Sequence, residues 1–212
     1  MSTIHKMHPY MKRSIRFASI TAALGVIWSA NAADTYKVDP AHTRVGFSVR
    51  HLGISHVKGR FREFSGALVL EGDVLKEAIA TIQTQSVDTG VAQRDNHLRT
   101  ADFFDATNYP TITFRTKQVK GKGEHLTLVG DFTMRGVTKE IRLPVTLSKP
   151  IKDPWGNTRV GLEGRMKLNR KDYGLRYNQL LPTGIAAVSD EVELEITAEA
   201  FKEAGSQSAP AK

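Results

Sequence analysis

No cysteine occurs anywhere in the 212 residues. Disulfide frameworks, thiol nucleophiles, cysteine-ligated zinc, iron–sulfur clusters and a lipid anchor through an N-terminal cysteine are thereby excluded. The chain also lacks a G-x-S-x-G elbow, a P-loop, a G-x-G-x-x-G fingerprint and an H-E-x-x-H pair, so the common nucleotide-binding, zincin and serine-hydrolase readings have no anchor. Aromatic residues make up only 8% of the chain. Its apolar run at residues 17–30 has 14 residues, against about 20 for a membrane-spanning helix. What is present is 40% hydrophobic and 25% charged residues, the balance of a globular chain of one or at most two domains and not of a disordered polyelectrolyte.

The formal net charge of +8 suggests at first an anionic partner such as nucleic acid or a membrane. Much of it sits in the leader. Lys6, Lys12, Arg13 and Arg16 precede the apolar run, which ends in Ala30-Asn31-Ala32. That order of basic, apolar and small residues is a Sec-type signal peptide with cleavage expected after Ala32, whether translation starts at Met1 or Met11. Removing its four basic residues leaves 26 basic against 22 acidic residues, a charge of +4 on residues 33–212. The expected location is the periplasm or the exterior.

Beyond the leader the chain alternates with period two. Val45, Phe47 and Val49 share a face, as do Phe64, Leu68 and Leu70, then Leu126, Leu128 and Phe132. The same holds for Ile141, Leu143, Val145 and Leu147, for Val160, Leu162, Met166 and Leu168, and for Val192, Leu194, Ile196 and Ala198. One wet face and one dry face indicate antiparallel strands. Phe61 is out of phase with Phe64, which predicts a bulge or bend near Glu63. Turn chemistry separates the runs, at Gly72-Asp73, Gly121-Lys122-Gly123, Arg135-Gly136, Asp153-Pro154-Trp155-Gly156-Asn157 and Ser189-Asp190.

Residues 91–104 break the alternation and read as a helix, with Asp88 and Thr89 as capping candidates and Leu98, Ala101 and Phe104 on one side. Residues 204–212 have the composition of a disordered tail. About eight antiparallel strands avoid exposed edges most simply by closing into a barrel, wide enough to be filled by side chains or to hold one small ligand. A two-sheet sandwich is the competing architecture. The single inserted helix, suited to lidding an open mouth, favours the barrel.

Chemistry-bearing residues are scattered. His51 and His56 are close in sequence but have no reason to converge on a metal. Asp95, Asp102 and Asp105 flank the helix and are expected to cap it or to pair with Arg94 and Arg99. The bases Arg44, Arg50, Lys58, Arg60 and Arg62 form either a solvated strand face or a mouth for an anionic head group. Nucleic acid is not expected, because aromatics such as Phe47 lie on the apolar strand faces and cannot also form an outer stacking platform.

Several longer stretches resemble a known family. They are Tyr36-Lys37-Val38-Asp39-Pro40-Ala41-His42-Thr43, Arg50-His51-Leu52-Gly53-Ile54-Ser55 with Gly59-Arg60-Phe61, and the block from Ser86-Val87-Asp88-Thr89 through Arg94-Asp95-Asn96-His97-Leu98-Arg99-Thr100-Ala101-Asp102-Phe103-Phe104 to Tyr109-Pro110. Gly136-Val137-Thr138-Lys139, Asp153-Pro154-Trp155-Gly156 and Leu168-Asn169-Arg170-Lys171-Asp172-Tyr173-Gly174 belong with them. Together they resemble the YceI-like family over nearly all of residues 34–201. The resemblance implies an all-β, extended, eight-stranded antiparallel, lipocalin-like barrel with one inserted α-helix, occupying residues 33–203. It further implies a homodimer and a long apolar ligand, such as a polyisoprenoid, a quinone precursor or a fatty-acid derivative, held in the lumen for transport, storage or sequestration.

The expected lining is Phe47, Val49, Phe61, Phe64, Leu98, Phe103, Phe104, Phe114, Phe132 and Met166, with Arg50, Arg60, Arg94 or His97 meeting an anionic head group. No catalytic residue, metal or cofactor is assigned. Two other readings stand beside it: an enzyme acting on such a lipid through His97 and a nearby carboxylate, and a side-chain-filled barrel docking a membrane-protein partner.

Overall fold

The computed structural model describes Met1, residues 33–184 and residues 186–207, with side chains as far as Glu203. The expected leader lies outside the described residues. Of the chain's two units, Met1–Ala30 and Asn31–Lys212, the second holds the elements of the described residues. Its elements are β1 (Asp34–Val38), β2 (Arg44–His51), β3 (Ser55–Phe61), β4 (Phe64–Glu71), β5 (Val74–Gln83), β6 (Val87–Asp88), α1 (Ala92–Arg99), β7 (Thr111–Lys122), β8 (His125–Met134), β9 (Val137–Leu147), β10 (Ile151–Lys152), β11 (Thr158–Asn169) and β12 (Val188–Gln207).

Three pairs of these strands are single wall strands broken by a bend. β1 runs into β2 through the 3-10 turn Pro40–His42, β3 into β4 across Arg62 and Glu63, and β5 into β6 through the 3-10 turn Thr84–Ser86. The bend expected near Glu63 is therefore present. Counted this way, eight antiparallel walls follow one another in chain order and close on themselves, while β10 extends β11 as a short arm.

Closure falls to β12. One of its edges pairs with β11 from Asn169↔Glu191 to Arg159↔Phe201. The other pairs first with β2, from Val188↔His51 to Thr197↔Arg44, and then with β1, from Val38↔Ala200 to Asp34↔Gln207. Two sequence expectations change here. Ser189-Asp190 lies inside β12, where the register shifts between Val188 and Val192, and is not a turn. Residues 204–207 are strand and not tail, because β1 offers them an open edge to pair with; only residues 208–212 lie beyond the described strand.

The helix is shorter than residues 91–104 suggest. It ends at Arg99 because Thr100 turns extended, its hydroxyl donating back to the His97 carbonyl at 2.8 Å. Neither Asp88 nor Thr89 caps it; Val91 holds the N-cap position with no side-chain bond. Asp88 instead receives Arg60 and Arg62, and Thr89 donates to the buried Asp95.

Burial divides the barrel along its axis. At one end Tyr36, Leu68, Leu70, Leu75, Leu128, Leu143, Val145, Leu147, Val160, Leu162 and Ala200 pack into a continuous core. Toward the other, Phe61, Ile82, Val87, Ile112, Phe132, Met134, Tyr173 and Leu175 form a second cluster. The outer face of β11 and β12 carries cross-strand ion pairs, with Arg165 reaching the directly opposite Glu195 at 2.5 Å and Lys167 reaching the diagonal Glu191 at 2.8 Å. Such exposed pairs contribute little stability each but fix cross-strand register.

One polar node fastens the closed end. Arg159 at the start of β11 donates to Asp39 beside the β1–β2 bend at 2.8 Å and to Asp153 of the 153–157 turn at 2.8 Å. Asp153 also accepts the backbone N–H groups of Trp155 and Asn157. The guanidinium, aided by these other donors, holds both carboxyls at about 2, well below the usual carboxylate range. Carboxyls with depressed folded values add stability that is complete above the unfolded value near 3.9 and is lost as pH falls through about 2. Replacing Arg159 by Met leaves two largely covered carboxylates, side chains 14% and 6% exposed, without their cation. The expected result is an acid-unfolding midpoint about one pH unit higher and a Tm at pH 7 lower by about 5 °C, read by circular dichroism.

Candidate functional site

Beyond the closed-end core, and walled by most of the second cluster, the barrel holds a cavity of about 380 Å³, within the usual range for small-molecule sites. The bent walls explain its position. β2 and β3 continue past the bends away from the closed-end core, and β6 pairs only with Arg60 and Phe61 of β3. On the far side, β9 and β11 pair only across Leu147↔Leu162, Thr146↔Glu163 and Val145↔Gly164. Below those points the walls diverge, and their inward side chains face space.

The lining follows the alternation. Val45, Phe47 and Val49 come from β2, Phe61 from β3, Phe114 from β7, Phe132 and Met134 from β8, Ile141 and Leu143 from β9, Met166 and Leu168 from β11, and Val192, Leu194 and Ile196 from β12. Unlike the closed-end core, many of these, including Phe47, Met166 and Leu194, are only partly buried. Phe61 contacts both Phe47 and Phe104, with ring centroids 5.8 and 5.6 Å apart. Gly59 is required beside this stack, because any Cβ there would collide with the Phe47 ring.

A polar rim occupies one end, formed by His51, Thr89, Arg94, His97, Arg170, Tyr177 and Gln179. Arg94 donates through Nε to the Thr89 hydroxyl at 2.7 Å and through Nη2 to the Thr89 carbonyl at 3.1 Å. His97 Nε2 lies 2.8 Å from Asp102 Oδ2, and its ring meets Phe103 and Tyr177 edge-on at 5.1 and 4.9 Å. Asp95, Asp102 and Asp105 thus engage Thr89, His97 and Asn108, and take neither of the roles expected of them, capping the helix or pairing with Arg94 and Arg99.

Arginines donating to carbonyls hold this end together. Arg99 joins α1 to the carbonyls of Gln85 and Val87. Arg135, in the β8–β9 turn, reaches those of Ala101, Phe103 and Gly174. The buried Arg170 donates to Ser189, Leu175 and Tyr177. Burial lowers the Arg170 value, opposed by Asp190, whose Oδ1 lies 3.6 Å away; a guanidinium nonetheless stays charged.

Nine of the ten residues expected to line the lumen do so: Phe47, Val49, Phe61, Leu98, Phe103, Phe104, Phe114, Phe132 and Met166. Phe64 does not. It sits just past the Glu63 bend and packs against the second cluster. Of the head-group candidates, Arg94 and His97 reach the cavity, whereas Arg50 and Arg60 point outward from β2 and β3, bonded to the Gly53 carbonyl and to Asp88. An outward residue on a period-two strand cannot also face the lumen. Tyr177 and Gln179 were missed because residues 175–184 have no alternation to betray them. Val192, Leu194 and Ile196 were legible as one face of a strand.

Fold and cavity define an up-and-down β-barrel with an apolar interior and a polar rim at one end. The model of the YceI-like domain matches residues 36–200, and the chain belongs to that family. It is 38% identical over 200 residues to Protein YceI of Shigella flexneri, covering 91% of this chain and all of that protein. The crystal structure of the Campylobacter jejuni YceI protein aligns with a TM-score of 0.63 at 34% identity, over 78% of this chain and 96% of that one. At 17% identity, a polyisoprenoid binding domain from Saccharophagus degradans implicated in plant cell wall breakdown shares the fold, with a TM-score of 0.62 over 79% of this chain and 98% of that one.

Gly59→Ala tests the lining directly. The new methyl is expected to push the Phe47 ring into the cavity, reducing the binding of an apolar fluorescent dye severalfold while costing about 1–3 kcal/mol of stability in urea unfolding.

Proposed function

We propose that this protein binds a long, thin, apolar chain, such as a polyisoprenoid or a fatty-acid derivative, in the barrel cavity, as a carrier or store and not as an enzyme. The observation that carries the reading is the inward row of Phe47, Phe61, Phe104, Phe114, Phe132, Met166 and Leu194 around a cavity with polar side chains at one end. A prenyl or acyl chain gains roughly 0.8 kcal/mol for each CH₂ removed from water, before ordering costs. Arg94 and His97 then offer positive or hydrogen-bonding groups to a polar or anionic head. The polyisoprenoid-binding neighbour of the same fold supports this ligand class. The leader read in the sequence supports a periplasmic location, where such a carrier moves chains through water, and the family resemblance supports a homodimer.

The His97–Asp102 pair at 2.8 Å favours a second reading, an acid/base centre acting on the bound lipid. Its ring is packed edge-on between Phe103 and Tyr177, which suits a positioning role for the head group. Long incubation of a prenyl alcohol or prenyl diphosphate with the protein is expected to return the lipid unchanged; a converted product establishes the enzyme instead.

Organic extraction of protein isolated from its native host is expected to release one prenyl or acyl species in stoichiometric amount by mass spectrometry. Ala80→Trp, which places an indole into the lining, is expected to abolish uptake of that species and of added farnesol while the far-ultraviolet circular dichroism stays β. Extracts without lipid, together with no uptake of added chains by the wild type, would overturn the carrier reading.

A further inference from the structure

The rim of the cavity is apolar and basic on its outer side. Ile54, at the tip of the β2–β3 hairpin, and Leu180, in the segment between β11 and β12, are 83% and 73% exposed. They belong to neighbouring pieces of chain. The hairpin's Leu52 N–H donates to the Ala187 carbonyl at 2.9 Å, and Leu180 bridges to Ala186. Both flank cavity-lining groups, since His51 and Val57 on the hairpin and Tyr177 and Gln179 beside Leu180 all line the cavity. A third exposed apolar residue, Val91, caps α1 three positions before the cavity-lining Arg94.

The charges on the hairpin and on the segment that carries Leu180 have one sign. Residues 50–58 and 175–184 contain Arg50, Lys58 and Arg176 and no Asp or Glu. All three are exposed, and none has an ion-pair partner among the described residues. The nearest acids on the adjoining elements are already engaged, Asp88 by Arg60 and Arg62, Asp95 by Thr89, Asp102 by His97, Asp190 by Lys171 and Arg170, and Glu191 by Lys167. Bulky apolar tips amid uncompensated cations are the chemistry of a protein surface that rests on an anionic lipid interface, with the tips among acyl chains and the cations at the phosphates.

We infer that the cavity rim is a membrane-docking surface: Ile54, Leu180 and Val91 insert shallowly into an anionic phospholipid bilayer while Arg50, Lys58 and Arg176 meet its head groups. The partner is the bilayer itself. This rests on the carrier reading, to which it adds the place where the chain enters and leaves: an apolar ligand crosses from bilayer to barrel without passing through bulk water, whose entry cost is what makes free transfer slow. The opposite end also exposes apolar groups, Ile151 and Trp155. There the barrel is closed by its packed core, and β12 separates that end, at Phe201, from the rim, at Val188, by roughly 40 Å of strand.

The test is flotation of the purified protein with vesicles of phosphatidylcholine containing phosphatidylglycerol, against vesicles of phosphatidylcholine alone. Wild type and variants share the same N-terminus, so differences between them read the rim. The double variant Ile54→Asp, Leu180→Asp is expected to lose about tenfold in partitioning to the anionic vesicles. Trp155→Ser at the closed end is expected to match the wild type, and wild-type binding is expected to fall on neutral vesicles and in high salt. Equal partitioning of wild type and double variant overturns the proposal and includes the case of a protein partner at this rim. Loss in Trp155→Ser alone overturns it too. Uptake of farnesol added from solution, measured on the same samples without vesicles, reports the cavity separately. Uptake without rim-dependent flotation sinks the docking surface and leaves the carrier standing, whereas no uptake by the wild type sinks the carrier.

Discussion

Closing an antiparallel sheet on itself is the constraint from which the rest of this structure follows. An open sheet of eight walls would leave two edges of unpaired backbone groups, each an invitation to aggregation. Here β12 removes both, pairing with β11 on one side and with β2 and β1 in succession on the other. For one strand to serve two partners on the same edge, the first wall must bend, and it does so at Pro40–His42, where Arg159 draws Asp39 and Asp153 together. The motifs Asp39-Pro40 and Asp153-Pro154 are thus parts of a single fastening, far apart in sequence and adjacent in space.

Bending has a second consequence. Walls that are tightly paired at one end diverge at the other, so the barrel has a packed core on one side and a cavity on the other. The divergent end cannot be stabilised by strand pairing alone. Its irregular segments are tied instead by Arg99, Arg135 and Arg170, each donating to two or three backbone carbonyls. Carbonyls in turns would otherwise lack partners, and an unsatisfied buried polar group costs more than the bond itself returns. These arginines leave the apolar wall free to face the cavity.

Local patterning made a good part of this legible. Period-two alternation marked the walls and told which residues of Val45–Val49 and Val192–Ala198 face inward, because a strand must alternate its side chains. The phase slip between Phe61 and Phe64 marks the bend at Glu63. The failures have different causes. The outward placement of Arg50 and Arg60 follows from the alternation of their own strands, which a head-group role ignores, whereas the cap expected at Asp88 was lost to partners distant in the chain. Asp88 is claimed by Arg60 and Arg62, and α1 stops where Arg135 takes the carbonyls beyond it. Tyr177 and Gln179 reach the cavity from a segment without periodicity, held there by Arg170.

The sequence by itself determined the alternation, the turns, the lack of any thiol chemistry and the membership of most aromatic residues in an inward face. Those properties are local, set by side-chain period and by which residues tolerate turn geometry. Only the tertiary structure decided that the walls close through β12, that one end is packed while the other is hollow, and that Arg94 and His97 face the cavity. These are matters of register and bend. A bend of two residues between β3 and β4 moves the inward face from Phe61 to Phe64, a shift in β12 near Ser189 changes its pairing with β2, and no local pattern records where the partner strand will be.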